Sequence, residues 1–536
     1  MEYLKDFRSL DFLEQIAALG NVEAAKQPDS IPELCALYLS PVNDDAVDTM
    51  VRNTLRAVLL ANQREILRGL EADEPRIRQF CVGMAGDKGL VDAAPQLMAL
   101  ADSLHDDPEA LADVLMAMSR IKAPAFRAAF HTHARHADDI IAGLCLRMLG
   151  EYGDPADLGI LCDIIAAAEG ADAYETCAVT TYNAILGLGM CASPDALAFL
   201  VEKLHHKNPT ARRIIHETLV HVGPACIEYV AKAFDSPDTD ARIMAANVLG
   251  FIGDKAGASV LIQAMDKGAV EHPNLRFAVF EALGKIPNMT SLICLIDALV
   301  GEHDEVVLMA VVTGLENQMH PAVVKKLVAL LNQDLGNPDG QGQKVVRAIA
   351  AAKAVTLFKA LFCDEALTQA ILTRVASSND DEAIAAFRAV CEAMDDPRAA
   401  SCVQTLAGAA VSQKKGSLLA IDDSTAMRNF YRSAGSSLGY EVVTAEHGRE
   451  ALTHLEFGTP FDVIVVDMNM PVMDGIEFTE QARTMEQYAH TPIVMATTES
   501  TKSQAVLARN VGVTTFLKKP FTADVLQHKL KHVLGT

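Results

Sequence analysis

Three short stretches near the C-terminal end constrain the fold more than any other part of the chain. They are Leu418 to Asp423 (LLAIDD), Val463 to Asp474 (VIVVDMNMPVMD) and Phe516 to Phe521 (FLKKPF). The first two are apolar runs that stop abruptly in acid. Such a run reads as a strand buried on both faces of a parallel sheet, delivering the next side chains to the sheet edge. Ligands of open α/β sheets sit at that edge, beyond the carboxyl ends of the strands. Asp422, Asp423 and Asp467 are therefore expected to converge. Three unpaired carboxylates would repel one another and resist desolvation, which raises their pKa values. A hard, oxygen-preferring cation such as Mg²⁺ is their natural partner, and Lys519, just before Pro520, brings a fixed positive charge to the same edge. A carboxylate so placed can take a phosphoryl group as an acyl phosphate, while metal and lysine neutralise charge on the transferred oxygens. Taken alone, Asp422-Asp423 ahead of Ser424 also fits a helix N-cap. No GxxxxGK[ST] follows any strand, so a P-loop is excluded.

In order and spacing these residues resemble the receiver domain of two-component response regulators, the fold of the single-domain chemotaxis regulator. The resemblance rests on Asp422-Asp423, the turn Asp467-Met468-Asn469-Met470-Pro471 with Asp474-Gly475, Thr497 after Pro492-Ile493-Val494-Met495-Ala496, and Lys519-Pro520. It spans roughly residues 416 to 536, with no active-site position departing from the family pattern. Its implications are specific. Asp467 would be the phosphoacceptor; Asp422, Asp423, Asp467 and the Asn469 backbone carbonyl would hold Mg²⁺. Thr497 would hydrogen-bond the phosphoryl group, Lys519 would pair with it, and Phe516 would be the switch aromatic alongside Thr497. A histidine kinase or phosphotransfer protein would be the donor. The apolar runs Leu418–Ile421, Val442–Ala445, Val463–Val466, Ile493–Ala496 and Thr515–Leu517 alternate with helical patterns, which calls for a doubly wound parallel sheet. The flavodoxin-like strand order 2-1-3-4-5 follows from the resemblance.

From about Leu10 to Ala410 the chain is rich in Ala, Leu and Val, lacks strand-type alternation, and is broken every few turns by Gly, Pro or Asp. That pattern predicts successive antiparallel helices. Asn208-Pro-Thr-Ala-Arg212 recurs as Asp238-Thr-Asp-Ala-Arg242 after 30 residues, and as Pro273-Asn-Leu-Arg276 after a further 34. Leu249-Gly250 with Gly253-Asp254 matches Leu283-Gly284 and Leu149-Gly150 with Gly153-Asp154; Leu188-Gly189 and Thr313-Gly314 read as further copies. A period of this length with two helices per unit means a solenoid. The glycine after Leu is expected to end the first helix of each unit, where φ > 0 is needed. The opening resembles the short bacterial HEAT-like repeats also found in phycobilin-lyase relatives, in which the Asp caps a helix and the Arg pairs within or between repeats. Armadillo repeats are the nearer alternative, since tetratricopeptide repeats are Trp/Tyr-rich and this chain has no Trp. Residues 332 to 343 (NQDLGNPDGQGQ) predict an internal loop or hinge. The expected division is a solenoid over 1–410, a linker over 411–416 too short for independent motion, and a receiver over 417–536.

Composition narrows the function classes. The net charge is −24, and with 10 basic and 14 acidic residues beyond Gly416 about −20 falls on the helical part. That opposes binding to nucleic acid or to anionic membranes. Eleven Cys without a CxxC pair fit buried thiols in a reducing cytoplasm rather than a disulfide framework. No secretory signal or membrane span is expected. His131, His133 and His136 could suggest a metal site, but apart from Asp138-Asp139 no carboxylate or Cys nearby completes a ligand set, and a solvated helix end is the stronger reading. His205-His206 reads the same way, and Met468, Met470 and Met473 read as loop packing. The expected protein is a non-enzymatic, cytoplasmic phosphoacceptor that signals through a protein-binding solenoid. Alternatives are a receiver localised by the solenoid as a phosphate sink or relay, and a solenoid with its own enzymatic or nucleic-acid-handling function.

Overall fold

The computed structural model describes residues 4, 6–42, 44–170, 177–408, 414–498 and 502–535. They form two compact units, Met1–Ile165 with Ala178–Cys191, and Ala166–Cys177 with Ala192–Thr536. The second unit holds both the later helical repeats and the sheet. Of the expected linker, residues 411–413 lie outside the described residues.

Both units are built from helical hairpins in which alternate helices stack. In the first unit the stack includes α1 (Pro75–Lys88), α2 (Pro108–Ile121), α3 (Asp139–Tyr152) and α4 (Val179–Cys191). In the second it runs through α5 (Pro209–Val222), α6 (Thr239–Ile252), α7 (Pro273–Lys285), α8 (Glu305–Gln318) and α9 (Gln341–Ala351). The recurring opening works as a cap and a staple. Asn208 Oδ1 accepts from Ala211 N at 3.0 Å and Asp238 Oδ1 from Asp240 N at 2.9 Å, satisfying donors that a helix start leaves orphaned. The arginine reaches onward along the chain: Arg242 donates to the Ala269 carbonyl at 2.9 Å, and Arg276 pairs with Glu302 at 2.7 Å.

The glycine after Leu does not end a helix. Gly150, Gly250 and Gly284 lie inside α3, α6 and α7, and the caps are Gly153 (φ 66°) and Gly253 (φ 72°), three residues later. The helical glycines are contact points instead. A Cβ on Gly250 would come 2.8 Å from the Ala282 Cα, one on Gly284 2.5 Å from the Gly314 Cα, and one on Gly150 2.3 Å from the Gly187 Cα. The copy in α4 is thus Leu186-Gly187, two residues before the expected pair. Small residues let neighbouring backbones approach closely, and an interior this dense does not yield for an added methyl. Gly284→Val is expected to destabilise the second unit by about 1–3 kcal/mol, read as a lower urea midpoint with the same slope. The loop at 332–340 falls where expected and is pinned, since Asp334 accepts from the backbone N–H groups of Gln341 and Gly342.

The receiver sheet has five parallel strands, β1 (Gly416–Ile421), β2 (Tyr440–Ala445), β3 (Val463–Asp467), β4 (Ile493–Thr497) and β5 (Thr515–Lys518), in the order 2-1-3-4-5. The helices are α10 (Thr425–Ser437), α11 (Gly448–Glu456), α12 (Gly475–Thr484), α13 (Lys502–Asn510) and α14 (Ala523–Leu534). Every residue of β3 and β4 is buried, as strands covered on both faces must be. Ile421 pairs with Val466, so the ends of β1 and β3 lie side by side where the strand order reverses. That switch point is the ligand position of an open sheet.

Candidate functional site

At this edge the chain assembles the acids that their positions in sequence predict. Ligand atoms of Asp422, Asp423 and Asp467 lie within 4.8 Å of one another, the sole such cluster among the described residues. Lys519 Nζ reaches between them, 2.7 Å from Asp422 Oδ2 and 2.8 Å from Asp467 Oδ1. The Asn469 N–H donates to Asp467 Oδ2 at 3.2 Å, fixing the turn after β3. Thr497, buried at the end of β4, stands next to Ala496, the register partner of Asp467. Phe516 is partly buried and packs against the receiver core. The helix cap after β1 is Ser424, whose Oγ accepts from Met427 N at 3.1 Å; Asp422 in turn accepts from Ser424 N, leaving Asp423 to the cavity. Burial pushes the Asp467 carboxyl up to about 6 and Asp423 up to about 8, with Lys519 opposing the first and Lys285 the second. This is a strongly oxygen-donating, counter-charge-seeking site, and its donors suit a hard divalent cation.

Arg428, which sequence reading passed over, and Gly475, quoted there only as part of the motif, support the acid turns. Arg428, in the first turns of α10, donates from Nη1 to the carbonyls of Asp422 at 2.7 Å and Asp423 at 2.9 Å. Gly475 lets the start of α12 sit on the Asp467 peptide, since a Cβ there would come 2.3 Å from the Asp467 carbonyl oxygen. Met468, Met470 and Met473 are buried in the receiver core, as loop packing requires.

The helical repeats wall this site. The cavity over the acids is lined from the repeat side by residues that include Asp240, Asn247, Asn274 and Glu281. Around it, Thr210 Oγ1 donates to Asp474 Oδ2 at 2.9 Å, Arg213 pairs with Glu477 at 3.1 Å, and the Val472 N–H donates to Glu217 at 2.8 Å. Asn274 Nδ2 donates to the Lys519 carbonyl at 3.0 Å, Asn429 Nδ2 to the Ala352 carbonyl at 3.0 Å, and Arg432 pairs with Glu382 at 2.6 Å. The sequence carried no local signal for this wall.

His216 of α5 is buried beside the same interface, edge-on to Phe251. Burial, with Lys285 adding, lowers its pKa from 6.5 to about 4. A histidine kept neutral by the fold costs stability once the unfolded chain binds its proton and the folded chain does not. Stability is therefore full above pH 6.5 and is expected to fall by about 3 kcal/mol between pH 6.5 and 4. His216→Phe should flatten that part of a stability profile measured by urea unfolding. Among the described residues no histidine joins a metal-ligating group: His131 pairs with Asp157 at 2.8 Å, His205 with Asp238 at 2.7 Å, and the His133 and His136 rings lie 6.1 Å apart.

The model for the response regulator receiver domain matches residues 418–531, and that for HEAT repeats matches residues 227–316. The chemotaxis protein CheY1 of Helicobacter pylori is 42% identical over 120 residues, which is 22% of this chain and 97% of that protein. Among solved structures, CheY4 of Vibrio cholerae is 43% identical over 22% of this chain and 98% of that one, with a TM-score of 0.22. A receiver domain from a Pseudomonas aeruginosa sensor histidine kinase, with a magnesium ion coordinated in its active-site cleft, is 26% identical over 23% and 98% of the two chains, with a TM-score of 0.21. The chain belongs to the response regulators, with a C-terminal receiver domain after HEAT repeats. No helix among the described residues is long and apolar enough to cross a membrane.

Proposed function

We propose that Asp467 is the phosphoacceptor of a two-component response regulator. Repeats over 1–410 would then form the module through which its state is read, joined by a linker at 411–416 to a receiver at 417–536. The observation that carries the reading is Lys519 Nζ held at 2.8 Å from the buried Asp467 carboxylate, among two further acids. The Asp467 carboxylate forms a P–O bond as the bond from phosphorus to the donor's imidazole nitrogen, or to the oxygen of a small acyl phosphate, breaks. The electron pair leaves with that group: a departing imidazole nitrogen takes a proton from solvent, and a departing carboxylate leaves as the anion. Lys519 orients the nucleophile and balances charge on the transferred oxygens, and the Thr497 hydroxyl, which donates to Met468 Sδ at 3.8 Å, would turn to one of them. Asp422, Asp423, Asp467 and the Asn469 carbonyl would hold Mg²⁺, which when bound neutralises charge on the phosphoryl oxygens. The added charge, about −1.5 to −2, would draw in Thr497 and let Phe516 reorient.

A histidine kinase or phosphotransfer protein is the donor this chemistry fits. The acidic repeats suit a protein partner better than nucleic acid. The extensive contact between receiver and repeats favours a gated module over a receiver that only stores phosphate. The test is labelling with acetyl phosphate and Mg²⁺. One hydroxylamine-labile phosphoryl group per chain, absent with EDTA and located at Asp467 by mass spectrometry, is the expected result. A native chain that takes no label, both as isolated and with its receiver freed from the repeats, would sink the reading.

A further inference from the structure

A second cavity opens beside the acid site, between the repeats and the receiver. Its volume is about 620 Å³, within the range of small-molecule sites. Pro520 and Phe521 line both this cavity and the one over the acids. The receiver side comes from one face of α10, where Phe430, Ser433, Ala434 and Ser437 stand at i, i+3, i+4 and i+7. Phe430 meets Phe521 edge-on at 5.7 Å, so this wall is an apolar floor that also carries hydroxyls. The repeat side is basic. Lys344 and Arg347 stand one turn apart on α9, and Arg374 lies in the last turn of the helix Glu365–Ala376, which packs against α9. Of the three carboxylates lining the cavity, Glu305 pairs with Arg347 at 2.8 Å, and Asp304 caps α8 by accepting from Val306 N at 2.9 Å and Val307 N at 3.1 Å. The third, Asp524, is exposed in the first turn of α14. Two cations are left without a carboxylate. Among the described residues, Lys344 Nζ reaches the His303 carbonyl alone, at 3.4 Å, and the Arg374 side chain makes no hydrogen bond or ion pair. Elsewhere between repeats and receiver, Arg213 and Arg432 each meet an acid.

We propose that this cavity binds a nucleoside monophosphate, with its phosphate on Lys344 and Arg374 and its base and sugar along α10. Two uncommitted cations match one phosphate monoester, which carries about −1.5 to −2 at pH 7; a single carboxylate would leave one of them unanswered. The arginine fork suits phosphate oxygens, which it can meet with two parallel hydrogen bonds. A bare phosphate would leave most of the volume empty. The apolar floor of Phe430, Ala434 and Phe521 suits a flat base, and the Ser433 and Ser437 hydroxyls suit a ribose. A ligand so placed touches the repeats on one side and α10 on the other, and gives the chain a second chemical input beside the acids. Nothing in this assignment depends on which residue accepts a phosphoryl group.

The test is titration calorimetry of the full chain with AMP, GMP, CMP and UMP in EDTA, which keeps cation-bridged phosphate away from the acids. At least one nucleotide is expected to bind, with inorganic phosphate and the matching nucleoside each weaker by about tenfold or more. Arg374→Ala and Lys344→Ala should each weaken that binding by about tenfold or more. Arg374→Ala removes no contact within the protein, so its urea midpoint should equal the native one, which separates a lost ligand contact from misfolding. Bound nucleotide should also slow hydrogen exchange over 344–351 and 430–438 together. Binding that survives both substitutions, or that appears with Mg²⁺ alone, places the ligand elsewhere and overturns the proposal. Inorganic phosphate binding as tightly as the nucleotide overturns it too, because the apolar floor then contributes nothing. So does a native chain that binds none of the four.

Discussion

The Asp467→Asn chain is expected to take no label from acetyl phosphate, a loss of at least about 1000-fold, and yet to be the more stable protein in EDTA. The first effect arises because an amide oxygen cannot replace a carboxylate as the attacking group. The second arises because Asp467 is buried with Asp422 and Asp423, their ligand atoms within 4.8 Å, and one lysine between them. Removing one carboxylate from this cluster relieves repulsion and desolvation, a gain of about 1–2 kcal/mol. With Mg²⁺ the order should reverse, since the native site binds the cation more tightly. Urea unfolding in EDTA and in excess Mg²⁺, beside the labelling assay, reads both. A mutant that still labels would place the acceptor elsewhere.

Lys519→Met should have the largest effect on stability. Its ammonium group is the counter-charge for both Asp422, whose side chain is 1% exposed, and Asp467. Removing one partner of a buried ion pair leaves uncompensated charge and costs about 3–5 kcal/mol. Mg²⁺ should recover much of that loss, because the acids then have another cation to face. Labelling should still fall by about 100-fold, because no fixed positive charge remains beside the acceptor. Equal instability with and without Mg²⁺ would make Lys519 a packing residue whose charge is incidental.

The receiver was legible in the sequence almost to the residue. Two apolar runs that end in acid read as buried strands feeding a sheet edge, and the boundaries of the five strands moved by one or two residues, with Asp467 and Thr497 closing β3 and β4. Repeat openings were legible because caps and staples use residue types with few other uses. Leu-Gly misled because glycine answers two demands, a left-handed cap and a close helix contact; Gly253 meets the first and Gly250 the second. In a Leu-Gly-x-x-Gly pattern the second glycine is the cap.

The sequence alone determined the strands, the order of acids along them, the caps, and the helical repeat, because each depends on residues close together in the chain or on one shared period. Only the tertiary structure decided that the acid pocket is covered, and by which residues. Thr210 and Asp474 stand 264 positions apart, as do Arg213 and Glu477. Contacts at that separation leave no periodicity, and an Asp or Glu on a repeat helix looks like any solvated acid until the stack places it opposite three others.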